Sequence, residues 1–367
     1  MSKVQLKDIA SFSKGSQING DKLIKNGAYD YLNGGISPSG KWNEYNVLGD
    51  SITISEGGNS CGYVNYMVNP FWCGAHCYYL FDLKCNKKYL YYALKSQQEK
   101  IMKLRSGACM PNIKKSDIGN FVFEFDGDIN FQKQIAENLD KVTRTIELCN
   151  AILEKLDLLV KARFVEMFGE PSSNSKNWTV TTIGNIVTEV RYGTSRPAVD
   201  NGKYPYLRMN NLTYDGHLDL TELKRINIPD NEIEKSIVRR GDVLFNRTNS
   251  VELVGKTCVF NELENMVIAG YIIRVRLKQD MLPIVFSCFM NTDTLKKKLR
   301  TMAKGAVNQA NINAQELQSI EIYVPPLDLQ NQFADFVTQT DKTKSKVKQT
   351  LEKAEILKKA LMQEYFG

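Results

Sequence analysis

A chain of 367 residues is long enough for two domains, each with its own core. Hydrophobic residues at 43% and charged residues at 24% are ordinary for a soluble globular protein, and no apolar run approaches the roughly 18 residues that span a bilayer. The net charge of +7 divides evenly, with 21 Lys/Arg against 18 Asp/Glu in residues 1–169 (+3) and 27 against 23 in residues 170–367 (+4), a balance that permits binding to phosphate backbone without demanding it.

Met1 to Lys14 contains no apolar core segment, so no secretory signal is expected. Eight irregularly spaced cysteines do not make a disulfide framework and point to reduced thiols in a cytosol. In residues 1–130, Asn33 to Gly40 is a loop rich in Gly and Ser, and Ser51 to Ser55 alternates like a half-buried strand. Tyr89 to Leu104 has helical spacing. From Ile135 the apolar positions step by four and three through Leu139, Val142, Ile146, Cys149, Leu153, Leu156, Val160 and Met167, interrupted by Arg163. This predicts a helix over 131–168, about 57 Å long at ~1.5 Å per residue.

Residues 170–328 again mix short strands, at 272–277 and 320–324, with a helical stretch from Pro283 to Met302. Pro325-Pro326 stops the last strand. A second long helix over 329–366 keeps Phe333, Val337, Val347, Leu351, Leu357 and Leu361, with a polar middle from Thr338 to Lys346. The class is α+β.

The chain repeats itself. At an offset of 198 residues, 151–169 and 349–367 share nine of nineteen residues, including Leu-Glu-Lys at 153–155 and 351–353 and Phe-Gly at 168–169 and 366–367. Upstream, Gln132, Gln134 and Ala136 align with Gln330, Gln332 and Ala334. Gly107-Ala108 aligns with Gly305-Ala306, and Tyr29-Asp30-Tyr31-Leu32 resembles Tyr204-Pro205-Tyr206-Leu207. The expected organisation is a domain at 1–130, a spacer helix at 131–169, a second domain at 170–328 and a second helix at 329–367. Two such helices pair economically as an antiparallel couple separating two homologous domains about a pseudo-twofold axis.

Several loops carry residue types that read DNA, since Asn or Gln grips adenine and Arg grips guanine through two hydrogen bonds in the major groove. In the first domain these are Asn33, Ser37, Ser39, Lys41, Ser55, Asn59 and Ser60. In the second they are Arg208, Asn210, Asn211, Arg247, Thr248, Asn249 and Ser250, with Asn308 beside the second Gly-Ala turn. Lys103, Arg105, Lys114 and Lys115 flank the first Gly-Ala turn, and Lys296, Lys297, Lys298, Arg300 and Lys304 its counterpart, as phosphate contacts that fix register. A solvated loop or helix face explains any one of them equally well.

Enzyme chemistry finds little material. Asn69-Pro70-Phe71-Trp72 lacks the second proline of an amino-methyltransferase motif, and no Gly-x₄-Gly-Lys-Ser/Thr loop is present. Cys61, Cys73, His76, Cys77 and Cys85 invite a zinc reading, yet the second domain lacks the set, so buried free thiols and no metal are expected. His76 and His217 are the only histidines, which leaves little for acid–base catalysis.

Gly107-Ala108…Asn112-Ile113…Ile118 before a strand and a helix opening Gln132-x-Gln134-Ile135-Ala136, the second copy Gly305-Ala306…Asn311-Ile312…Leu317 with Val324-Pro325-Pro326-Leu327-Asp328-Leu329-Gln330, and the two Phe-Gly ends resemble the specificity subunits of type I restriction–modification enzymes over essentially the whole chain. Phe125-Asp126-Gly127-Asp128 stands where the second copy has its proline pair, which leaves the start of the first helix open. The resemblance implies a non-catalytic protein of the bacterial or archaeal cytoplasm that binds no cofactor. It implies two target-recognition domains, each reading half of a split, asymmetric site on double-stranded DNA. It further implies that the helices dock two methyltransferase (modification) subunits, joined by a translocating restriction subunit. The rival reading is a coiled-coil scaffold whose repeated domains bind protein.

Overall fold

The computed structural model describes residues 2–107, 111–306 and 309–367, and for residues 304–306 the backbone alone. Its contacts divide into two compact units, Met1–Ala151 with Lys348–Gly367, and Ile152–Val347. Each unit holds one domain, the end of one long helix and the beginning of the other. Among the described residues no helix is long and apolar enough to cross a membrane.

In the first unit, a four-stranded antiparallel sheet runs in the order Ser11–Lys14, Cys77–Phe81, Ser51–Ser55, Val64–Met67. Ser51–Ser55 is central and buried along its whole length, so its alternation separates an apolar face from a polar one, not core from solvent. Ile52 and Ile54 join the core with Leu90 and Leu94 of the helix Lys87–Ser96. The polar face, Ser51, Thr53 and Ser55, is buried too. A second sheet orders Gly40–Trp42, Tyr29–Leu32 and Phe71–Cys73, the last two parallel.

The second unit repeats this plan. Its four-stranded sheet runs Val187–Tyr192, Ile272–Leu277, Val243–Asn246, Thr257–Val259. Its second sheet orders Lys224–Ile226, Tyr204–Leu207 and Met266–Ile268, again with the last two parallel, and adds Ile237–Val238. The duplication is therefore mixed helix and sheet at the level of strand order, which sequence identity alone shows only near the helices. The helical stretch 283–302 is two helices, Pro283–Met290 and Asp293–Met302, because Thr292 caps the second by accepting the amide of Leu295.

The long helices span Ile129–Phe168 and Leu327–Phe366. Within the second unit they run antiparallel: Phe333 near the start of one meets Phe164 and Phe168 at the end of the other, with centroids 5.7 and 5.4 Å apart. Within the first unit the pairing is reversed, and Phe366, at the end of the second helix, shares the core of Ile135 and Leu139. Ile135 and Leu139 are buried, and Val142, Ile146, Leu153, Leu156 and Val160 are half-buried. The seam then passes through Phe164 and Phe168, bypassing Arg163. In the second helix Phe333, Val337, Thr340, Lys344, Val347, Leu351, Ala354, Lys358 and Leu361 are all at least half-buried at steps of four and three. The polar middle is thus part of the seam. Leu357 corrects the sequence expectation: it falls one position off this register and is 48% exposed.

Candidate nucleic-acid interface

In the first unit the strand Ser51–Ser55 gives way to a turn at 56–60 that holds a second loop, 33–39. Gly34, at φ 83°, lies where a Cβ would come within 2.4 Å of the His76 carbonyl, so only glycine fits. Ser60 Oγ donates to the Gly34 carbonyl at 2.7 Å, and Ser55 Oγ and Asn65 Nδ2 converge on the Gly35 carbonyl at 3.4 and 3.3 Å. Asn33 Oδ1 accepts the His76 amide at 3.1 Å. Three of the sequence candidates, Asn33, Ser55 and Ser60, are therefore engaged in shaping the loops, and Ser55 is buried. Ser37, Ser39 and Asn59 remain exposed, while Lys41 pairs with Asp30 at 3.3 Å.

The same edge gathers the first basic group. Ser106 and Asn112 exchange backbone hydrogen bonds of 2.9 Å, and Ile113 donates its amide to the Glu56 carbonyl at 2.9 Å. These bonds bring the turn at 103–107 and the segment 111–115 beside the 56–60 turn. Lys103, Arg105, Lys114 and Lys115 are all exposed there. Arg105 is close enough to draw down the Cys61 thiol, whose pKa burial nonetheless raises.

In the second unit, Asn211 is buried and holds its loop: its Oδ1 accepts the Arg208 amide at 2.9 Å and its Nδ2 donates to the Asp219 carbonyl at 2.8 Å. Thr248 is buried against Asn311, donating to its Oδ1 at 2.9 Å. Asn249 bridges Asn246 Oδ1 at 2.8 Å and the Ser250 amide at 2.9 Å. Asn210 is exposed, Arg208 half-buried, its Nη2 donating to the Glu222 carbonyl at 3.3 Å. Arg247 lies over the Tyr192 ring, 4.8 Å from its centroid.

Lys296 departs from the expected phosphate contact. It is 3% exposed, donates to the Gly255 carbonyl at 3.1 Å and lies 4.8 Å from the Tyr214 ring centroid. Burial, with Lys161, Lys256 and Arg300 nearby, pushes its pKa down to about 8. Arg300 donates to the Tyr214 hydroxyl at 2.6 Å, leaving Lys297 and Lys298 exposed. The Lys304 side chain and Asn308 lie outside the described residues.

The residues that carry this scaffolding have no signature in the sequence. Asn246, fully buried, donates to the carbonyls of Thr248 and Tyr271. Glu56 pairs with Lys14 and His76. Among the described residues the one group with metal-ligand spacing is Asp157, Asp215 and His217, and Asp157 is already paired with Lys344.

The model of the type I restriction modification DNA specificity domain matches residues 1–158 and 175–356. A Mycoplasma pneumoniae protein assigned as a type I specificity subunit is 31% identical over 56% of this chain and 58% of its own length. The specificity subunit of the Escherichia coli type I restriction enzyme EcoKI is 26% identical over 66% of this chain and 55% of its own length. The chain thus spans a little over half the length of these two relatives. The crystal structure of a type I restriction–modification S subunit from M. genitalium superposes over 100% of this chain and 96% of its own, with a TM-score of 0.70 at 20% identity. A chain from the assembly of a type I system covers 99% of this one and 96% of its own, with a TM-score of 0.54 at 14% identity. These two likenesses show the fold. With both copies of its repeat matched by the family model, the chain belongs to the type I restriction modification DNA specificity domain family.

Proposed function

We propose that this chain is the DNA-reading specificity subunit of a type I restriction–modification complex, and that it performs no chemistry itself. The observation that carries the reading is the duplicated plan: two domains of one strand order, each followed by a 40-residue helix, in a chain of this family. Each domain reads one half of a split, asymmetric duplex target, through the exposed loop residues Ser37, Ser39, Asn59 and Asn210 and the half-buried Arg208 and Arg247. Lys103, Arg105, Lys114, Lys115, Lys297 and Lys298 contact phosphates and set the register. The helices dock two modification subunits and fix the gap between half-sites, and a restriction subunit joins that assembly. Support for docking comes from apolar side chains that the helices leave exposed, Leu148, Ile356 and Leu357 in one unit and Ile152, Leu158 and Leu159 in the other.

Duplex binding measured against salt tests the reading. Neutralising several phosphates makes log K fall with log salt at roughly 0.9 per phosphate contacted. A flat dependence, with robust protein partners, would establish the scaffold reading in its place.

A further inference from the structure

Strand register aligns the two units residue by residue. Lys14 pairs with Tyr78 where Tyr192 pairs with Ile273, and Ser55 pairs with Cys77 where Asn246 pairs with Ile272. The Glu56 amide donates to the His76 carbonyl at 2.9 Å, as the Arg247 amide does to the Tyr271 carbonyl at 3.0 Å. The Glu56 and Arg247 carbonyls accept the amides of Ile113 and Ile312, each at 2.9 Å. Three positions are therefore equivalent: Lys14 with Tyr192, Glu56 with Arg247, and His76 with Tyr271.

On this shared backbone the side chains invert in character. In the first unit the Glu56 carboxylate pairs with Lys14 Nζ and lies 3.5 Å from His76 Nδ1. In the second, the Arg247 guanidinium lies on Tyr192. Its Nη1 is 3.5 Å from the Gly270 carbonyl, and its Nε is buried with no hydrogen-bond partner among the described residues. The outer members stand open to solvent, the Lys14 and His76 side chains at 44% and 60% and Tyr192 and Tyr271 at 43% and 48%. A frame kept while its chemistry is exchanged is what two readers of different bases require.

Resting on the DNA-reading function above, we infer that these two triplets are specificity determinants, one base pair each. Arg247, held over the Tyr192 ring, offers its fork to O6 and N7 of a guanine. Lys14 and Glu56, a donor beside an acceptor, match guanine O6 and the cytosine N4 amino group on a single C·G pair.

The test is binding selection from random duplex DNA by the full chain with its modification subunits, comparing wild type with Arg247→Gln and Glu56→Gln. Glutamine pairs with adenine, so Arg247→Gln should move one base pair of one block from guanine to adenine. Glu56→Gln should move one base pair of the other block from cytosine to adenine. Each preference should change roughly 5- to 150-fold. Arg247→Lys keeps the charge without the fork, and must by itself weaken the guanine preference at that base pair. A wild type that yields two blocks, with variants that reproduce its base ratios, overturns the inference and leaves the DNA-reading function standing. A wild type that yields no motif removes both.

Discussion

Gln132 and Gln330 hold the same place in the two halves. Each is buried at the start of its long helix. Gln132 accepts the Asn86 amide at 2.7 Å and donates to the Asp126 carbonyl at 2.6 Å. Gln330 accepts the Leu282 amide and donates to the Pro325 and Asp280 carbonyls, all at 2.8 Å. Asn86 and Leu282 each precede the first residue of a domain helix, so each glutamine ties a long helix to its domain. Gln330→Leu would leave buried polar groups unmatched, at about 1–3 kcal/mol apiece. Urea denaturation should show that loss in the second unit, while Gln332→Leu, at an exposed position, should leave stability nearly unchanged.

Phe333 is fully buried and touches both Phe164 and Phe168. Phe333→Ala removes the contact that pairs the helices in the second unit and leaves a cavity. It should cost about 3–5 kcal/mol, read as an earlier thermal transition of that unit. Leu357→Ala, at an exposed site, should cost little stability.

Lys296 makes the second unit sensitive to alkaline pH. Its pKa of about 8 in the fold lies below the ordinary value of 10.5. Between those values the unfolded chain binds more protons than the folded one, so this group's contribution to stability rises with pH there. Below 8 the burial cost is present in full; above 10.5 it is gone. The stability difference between wild type and Lys296→Met should therefore shift in favour of wild type from pH 7 to 10.5, by on the order of 3 kcal/mol. A difference that stays constant across that range contradicts a desolvated, charged Lys296 at neutral pH.

Ser60 tests the loop clamp. Ser60→Ala removes the donor to the Gly34 carbonyl and should cost about 0.5–1.5 kcal/mol. Amide exchange should accelerate at 33–39 while the strand 51–55 stays protected.

The long helices were legible in the sequence because steps of four and three hold over many turns. Their seam was harder to read: Lys344 is buried through its bond to Asp157, a partner 187 positions away, and polar letters conceal such a place. The candidate loops were legible from their Gly, Asn and Ser content. That composition does not separate Asn210, open to solvent, from Asn211, locked between two backbone groups. Lys296 looks like its neighbours Lys297 and Lys298 until the Gly255 carbonyl and the Tyr214 ring are placed above it. The Glu56 and Arg247 correspondence lies between loops of different length, where only strand register can align the halves.

One chain carrying two readers of duplex DNA must select a bipartite target. Selection from random duplex by the wild-type chain with its modification subunits, followed by sequencing, tests it most directly. The expected result is a split motif, two short blocks of different sequence around a gap of fixed length and no base preference. A single contiguous block, or no enrichment under conditions where the protein partners bind, would contradict it.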